Sequence, residues 1–73
     1  MAIQIKSEIA GKVWKIEAKP GDLLEEDDAI LILESMKMEI PVAAPARCKL
    51  IEILVVEEDA VAEGQTVAIV EKA

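Results

Sequence analysis

The sequence predicts an all-β fold, a flattened eight-stranded antiparallel barrel or sandwich whose two halves are related by a pseudo-twofold axis. Three observations lead there. The core builders are β-branched, ten Ile and seven Val against six Leu, and branching at Cβ favours strands over helices. Short apolar runs end in turn signals, Pro20-Gly21-Asp22 and Glu63-Gly64-Gln65. The chain also matches itself at an offset of 37 residues, and a repeat constrains the whole architecture.

The elements follow from the repeat in order. Ile3 and Ile5 match Ile40 and Val42, so both copies open on the same kind of apolar segment. Lys12–Ala18 (KVWKIEA) matches Lys49–Val55 (KLIEILV) through Lys12/Lys49, Val13/Leu50 and Ile16/Ile53. These runs are short, alternate roughly and are bounded by turns, as strands are. Leu23–Ile40 argues the other way, because its Leu, Glu, Met and Lys are good helix formers. Its counterpart Ala60–Glu71 carries Gly64 and Thr66-Val67 and reads as strand, turn and strand. If the halves fold alike, Leu23–Glu34 is not a helix. The result is one domain, 1–73, with half-repeats of about 1–36 and 38–73. Trp14, the one aromatic residue, matches Ile51 and is expected as half-buried packing.

Composition excludes most chemistry. Apolar residues make up 53% and charged residues 32%, a globular balance. The net charge of −7 disfavours nucleic acid and anionic membrane as partners, since both are negative. No apolar run is long enough to span a bilayer, and MAIQIKSE lacks the basic and apolar regions of a secretory signal, so a cytoplasmic location is the default expectation. There is no His, Tyr, Phe or Asn, and Cys48 is the only cysteine. A Ser-His or Cys-His pair cannot be built, nor a zinc site. The chain is expected to bind something or to carry something, not to catalyse alone.

The seam between the copies holds the unusual residues. Lys37 lies between Met36 and Met38, on the link from strand Ile30–Glu34 to strand Met38–Val42. Two-residue hairpin turns prefer Asn-Gly or Asp-Gly, because both central residues take positive φ. Met36-Lys37 tolerates that badly, and an unfavourable turn at one place invites a functional explanation. The competing reading makes the methionines core filler and Lys37 an ordinary solvated charge.

Glu34-Ser35-Met36-Lys37-Met38-Glu39 resembles the attachment motif of biotinyl domains, the Glu-(Ala/Ser)-Met-Lys-Met signature of biotin carboxyl carrier proteins. The resemblance covers essentially the whole chain and is nearest to small standalone biotin/lipoyl attachment proteins. Gly11-Lys12-Val13, Lys19-Pro20-Gly21-Asp22, Pro41 and Ala44-Pro45 are similar to the family's strand and turn signatures. The resemblance implies a barrel-sandwich hybrid with the lysine on an exposed hairpin. It further implies covalent biotin on Lys37, attached by a biotin protein ligase, and transfer of a carboxyl group between biotin carboxylase and carboxyltransferase. Glu34, Ser35, Met36, Met38 and Glu39 then form the flanking recognition motif.

The rival within the family is a lipoyl carrier, whose tip usually reads Asp-Lys-Ala, so biotin is preferred to lipoate. The rival outside it is an unmodified structural barrel. A monomer is the simplest expectation for a mobile carrier. Two departures stand out: Cys48 sits where the repeat places Gly11, and Glu58 where it places Gly21. Both turns are therefore expected to be built differently in the second half. Cys48 is expected as a small core residue and not a reactive thiol. Lys12 and Lys49 are expected on strand faces out of a ligase's reach.

Overall fold

A computed structural model describes residues 2–73. Eight strands follow one another: β1 (Ala2–Lys6), β2 (Gly11–Ile16), β3 (Leu23–Leu24), β4 (Ala29–Ser35), β5 (Met38–Ala43), β6 (Cys48–Ile53), β7 (Ala60–Val61) and β8 (Thr66–Lys72). They form two antiparallel sheets of four, ordered β1-β8-β6-β3 and β5-β4-β2-β7, in a body of 34 × 17 × 17 Å. We call the second of these the hairpin sheet, since it contains the β4–β5 hairpin. Leu23–Ile40 holds strands β3, β4 and the start of β5, so helix propensity loses to the repeat there.

The repeat is carried into the packing. Val13, Ile30, Leu31 and Leu33 are fully buried, and so are their counterparts Leu50, Val67, Ala68 and Val70. One shared core results, and at several matched positions the two halves supply side chains of different size, such as Leu31 and Ala68. Four bulges also come in symmetric pairs. The registers skip Trp14 in β2 and Ile51 in β6, then Ile30 in β4 and Val67 in β8. A bulge sets two residues against one and sharpens the local twist, which is how short strands curl around so small a core.

The turns repeat atom for atom. Asp22 Oδ2 accepts the Lys19 N–H at 3.0 Å, and Asp59 Oδ2 accepts the Val56 N–H at 3.0 Å. Asp28 Oδ2 accepts from Glu25 at 2.9 Å, while Gln65 Oε1 takes the same part with Ala62 at 3.0 Å. The expectation that Cys48 and Glu58 would alter the second half's turns is corrected here. Glu58 keeps a left-handed φ of 81° where Gly21 has 97°, and both donate the same backbone bond, to Val13 and Leu50 respectively, at 2.8 Å. The hydrogen-bond network holds the backbone in place although the residue is a poor one for it. Cys48 is buried in β6, and desolvation pushes its thiol above the ordinary range. It is a core residue, as expected.

Glu58→Gly is accordingly expected to stabilise the domain. A left-handed residue with a Cβ costs about 1–2 kcal/mol, and glycine's extra unfolded-state freedom returns about 0.5–1 kcal/mol of that. Losing an exposed ion pair to Lys12 subtracts little. A gain of about 0.5–1 kcal/mol in thermal unfolding is the expected result.

Candidate functional site

The β4–β5 hairpin closes with Ser35 paired to Met38, leaving a two-residue turn of Met36 (φ 53°) and Lys37 (φ 65°). Positive φ at both positions is what a type I′ turn demands, and that turn's twist matches the twist of the strands it joins. Neither residue is glycine or asparagine, so the sheet below imposes a conformation that the turn residues disfavour. Met36 is 91% exposed and Met38 61%. That removes the reading of the methionines as core filler. Both methionines stand in solvent, one before and one after Lys37 in the chain, and Lys37 enters no ion pair among the described residues.

Below the turn lies a charged row. Glu34 in β4 stands directly opposite Glu39 in β5, and Lys12 in β2 stands on Glu34's other side. Like charges opposed across strands are destabilising. Lys12 offsets Glu34 only in part, because its Nζ goes to Glu58 at 2.8 Å. The Lys12 ammonium is held above the ordinary lysine value, chiefly by the Glu58 hydrogen bond and charge, with Glu34 adding to it. Two carboxylates are thus left facing outward beneath the tip. Ser35, also in the motif, is half-buried.

Gly11 is needed for this mounting, and its φ is not the reason. A Cβ built there would meet the Glu34 carbonyl oxygen at 2.7 Å and the Ser35 Cβ at 3.4 Å. The glycine lets the start of β2 lie against the base of the hairpin. Its counterpart Cys48 does carry a side chain, opposite Lys72. Gly11→Ala is expected to displace Glu34 and Ser35 and to cost about 1–3 kcal/mol, as overpacking does. Amide shift changes concentrated at the hairpin base would report the displacement.

Lys12 and Lys49 do lie on strands, but both are exposed, as are Lys6, Lys15, Lys19 and Lys72. Access to solvent therefore does not single out Lys37. Presentation does, since only Lys37 stands at the tip of a tight hairpin instead of along a sheet or among the Asp/Glu-rich turns.

The biotin/lipoyl family, described as "Biotin-requiring enzyme", matches residues 1–70. The chain is 42% identical over 60 residues to the biotin/lipoyl attachment protein of Bacillus subtilis, covering 82% of each. It is 33% identical over 70 residues to the "Biotinylated protein TB7.3 homolog" of Mycobacterium leprae, covering 96% of this chain and 99% of that one. Among solved structures, the urea carboxylase of Kluyveromyces lactis superposes with a TM-score of 0.92 at 37% identity, covering 96% of this chain but 6% of that one. A fold built of two matching halves, a Met-Lys-Met turn at its tip and these matches identify the chain as a member of the biotin/lipoyl attachment family, a carrier domain and not a catalyst by itself.

Proposed function

We propose that Lys37 is the attachment lysine of a biotin carrier that serves a biotin-dependent carboxylase. The observation that carries this reading is the turn itself, a lysine at positive φ between two exposed methionines at the tip of a rigid sandwich. A biotin protein ligase supplies the activated acyl group. The Lys37 Nζ, as the neutral amine, attacks the carbonyl of biotinyl-adenylate, the bond to phosphate breaks, AMP leaves and an amide forms. The chain holds no His at the tip to take the proton, so that task belongs to the ligase. Biotin, once attached, supplies a ureido nitrogen that carries a carboxyl group.

This chain's residues then do three things. The hairpin holds the arm's root in place, and the strands beneath it keep that root clear of the body. Tethering gives the prosthetic group an effective concentration in the millimolar range at each of two active sites, about what a short flexible link provides. Glu34 and Glu39 face outward as recognition charges for the ligase, and the carboxylase among the similar structures supports partners among carboxylase subunits, namely biotin carboxylase and carboxyltransferase. Biotin is favoured over lipoate by methionine on both sides of Lys37 and by the mycobacterial relative, which is by name the homologue of a biotinylated protein. The location we propose is cytoplasmic, where ligase, ATP and biotin meet.

Intact mass after incubation with biotin protein ligase, ATP and biotin, run beside lipoate ligase with lipoate, tests the reading. One biotin increment is expected. A lipoyl increment alone would move the chain to the other branch of its family, and no increment with either would leave an unmodified barrel.

A further inference from the structure

The pseudo-twofold makes each sheet an internal control for the other, and the outer faces of the two sheets differ. On the hairpin sheet, Ile32 of β4 stands opposite Pro41 of β5, and opposite Lys15 of β2 on its other side. The bulge places Trp14 beside Lys15 against the same Ile32. Leu31 and Leu33, either side of Ile32, are fully buried, so Ile32 points outward. Trp14, Ile32 and Pro41 therefore form an apolar strip across three strands. The matching positions on the other sheet are Ile51, Ile69 and Gln4. Trp14 is 47% exposed. The chain's one aromatic ring thus lies on the outer face of the sheet that carries Lys37 and adds little to the core.

The strip is continuous with the tip. It lies about 7 Å below the Glu34–Glu39 row, two residues along the strands, and that row lies next to the Ser35–Met38 pair. A standard interface covers about 800 Å² on each partner, a disc roughly 16 Å in radius. An enzyme that grips Lys37 through such an interface and lies to this side covers both rows. Tryptophan is the residue type most enriched among side chains that dominate binding energy.

Resting on the carrier reading above, we propose that the outer face of the hairpin sheet is the docking surface for the biotin protein ligase that acylates Lys37. The ligase seats an apolar contact on Trp14, Ile32 and Pro41 and sets basic groups against Glu34 and Glu39. Glu34 and Glu39 are adjacent carboxylates directly above an apolar strip, and Lys12 beside Glu34 gives its closest contact to Glu58. Such a surface also explains how one lysine is selected from seven exposed ones.

Steady-state biotinylation of the full chain tests this, with carrier concentration varied at saturating ATP and biotin. Trp14→Ala is expected to raise KM for the carrier about tenfold or more, the effect of losing a dominant contact, with kcat unchanged. Ile51→Ala, the symmetric change on the other sheet, is expected to alter neither. Pro41→Gln, which copies Gln4 of the other sheet, gives a second reading should Trp14→Ala fail to fold, and it too is expected to raise KM. An unchanged KM in a folded Trp14→Ala or Pro41→Gln chain would overturn the docking surface and leave the carrier reading standing. An equal rise with Ile51→Ala would also overturn it, because the effect would not belong to this face. A wild-type chain that gains no biotin would overturn the carrier reading and the docking surface together.

Discussion

Lys37→Arg abolishes ligase-dependent biotinylation and leaves the fold intact; that is the expected result, and it is the largest single effect this chain offers. Arginine keeps the positive charge and the flexible stem, but a guanidinium is not an amine nucleophile at any working pH. The turn already holds a long side chain at positive φ, so the substitution adds no backbone strain. Lys37→Ala makes the same point without the charge. Circular dichroism and thermal unfolding should match the wild type, while intact mass shows no increment. An increment persisting in either variant would place the site on another of the exposed lysines and sink the assignment. Replacing Met36 or Met38 by leucine is a milder companion change: both side chains are in solvent, so stability should not move, and any loss of rate belongs to recognition.

Leu33→Ala is the second large effect, and it acts on stability. Leu33 is fully buried in β4, between Val13 of β2 and Ile40 of β5, beneath the base of the hairpin. Truncating a buried leucine costs about 2–5 kcal/mol, the spread depending on how far the cavity closes. A domain of this size has about 4–11 kcal/mol in total, at 0.05–0.15 kcal/mol per residue. The variant is therefore expected to lose roughly half its stability, seen as a fall in the urea midpoint with the slope unchanged. The contrast is Ile69→Ala on the outer face of the other sheet, which should cost a fraction as much. Similar losses at the two positions would mean that the core is not where the strands place it.

Much of this was legible from residues alone, for a physical reason. Each half must supply the same inward faces to one core, so apolar matches such as Val13/Leu50 and Leu33/Val70 survive as sequence identity or similarity. That repeat overruled helix propensity in Leu23–Ile40, and it placed Lys37 on the link between the halves. The bulges at Trp14 and Ile51 were not legible, because a bulge is set by pairing with a neighbouring strand and has no residue signature of its own there. Nor was the left-handed backbone at Glu58, where hydrogen bonds to a distant strand stand in for the missing glycine. The solvent exposure of Lys12 and Lys49 was not legible for a related reason. A residue's place on a strand is local, whereas its exposure depends on what packs over that face, and nothing packs there.

The strand order has a kinetic consequence. Each sheet draws two strands from each half, and among the described residues β1 pairs with β8 alone, with Ala2 opposite Glu71. Apart from the β2–β4 and β6–β8 ladders, every pairing among the described residues joins one half to the other, the β4–β5 hairpin across the seam itself. Contacts this distant along the chain slow folding, since loop closure must come before the contacts that reward it. They also remove the option of coming apart piecemeal. Neither half keeps more than one two-stranded ladder of its own, too little to stand alone, so the strands beneath the tip should exchange their amide protons only through global opening. The mount of Lys37 is then as durable as the whole molecule, and a group attached there as proposed would be pulled between active sites without loosening its own foundation.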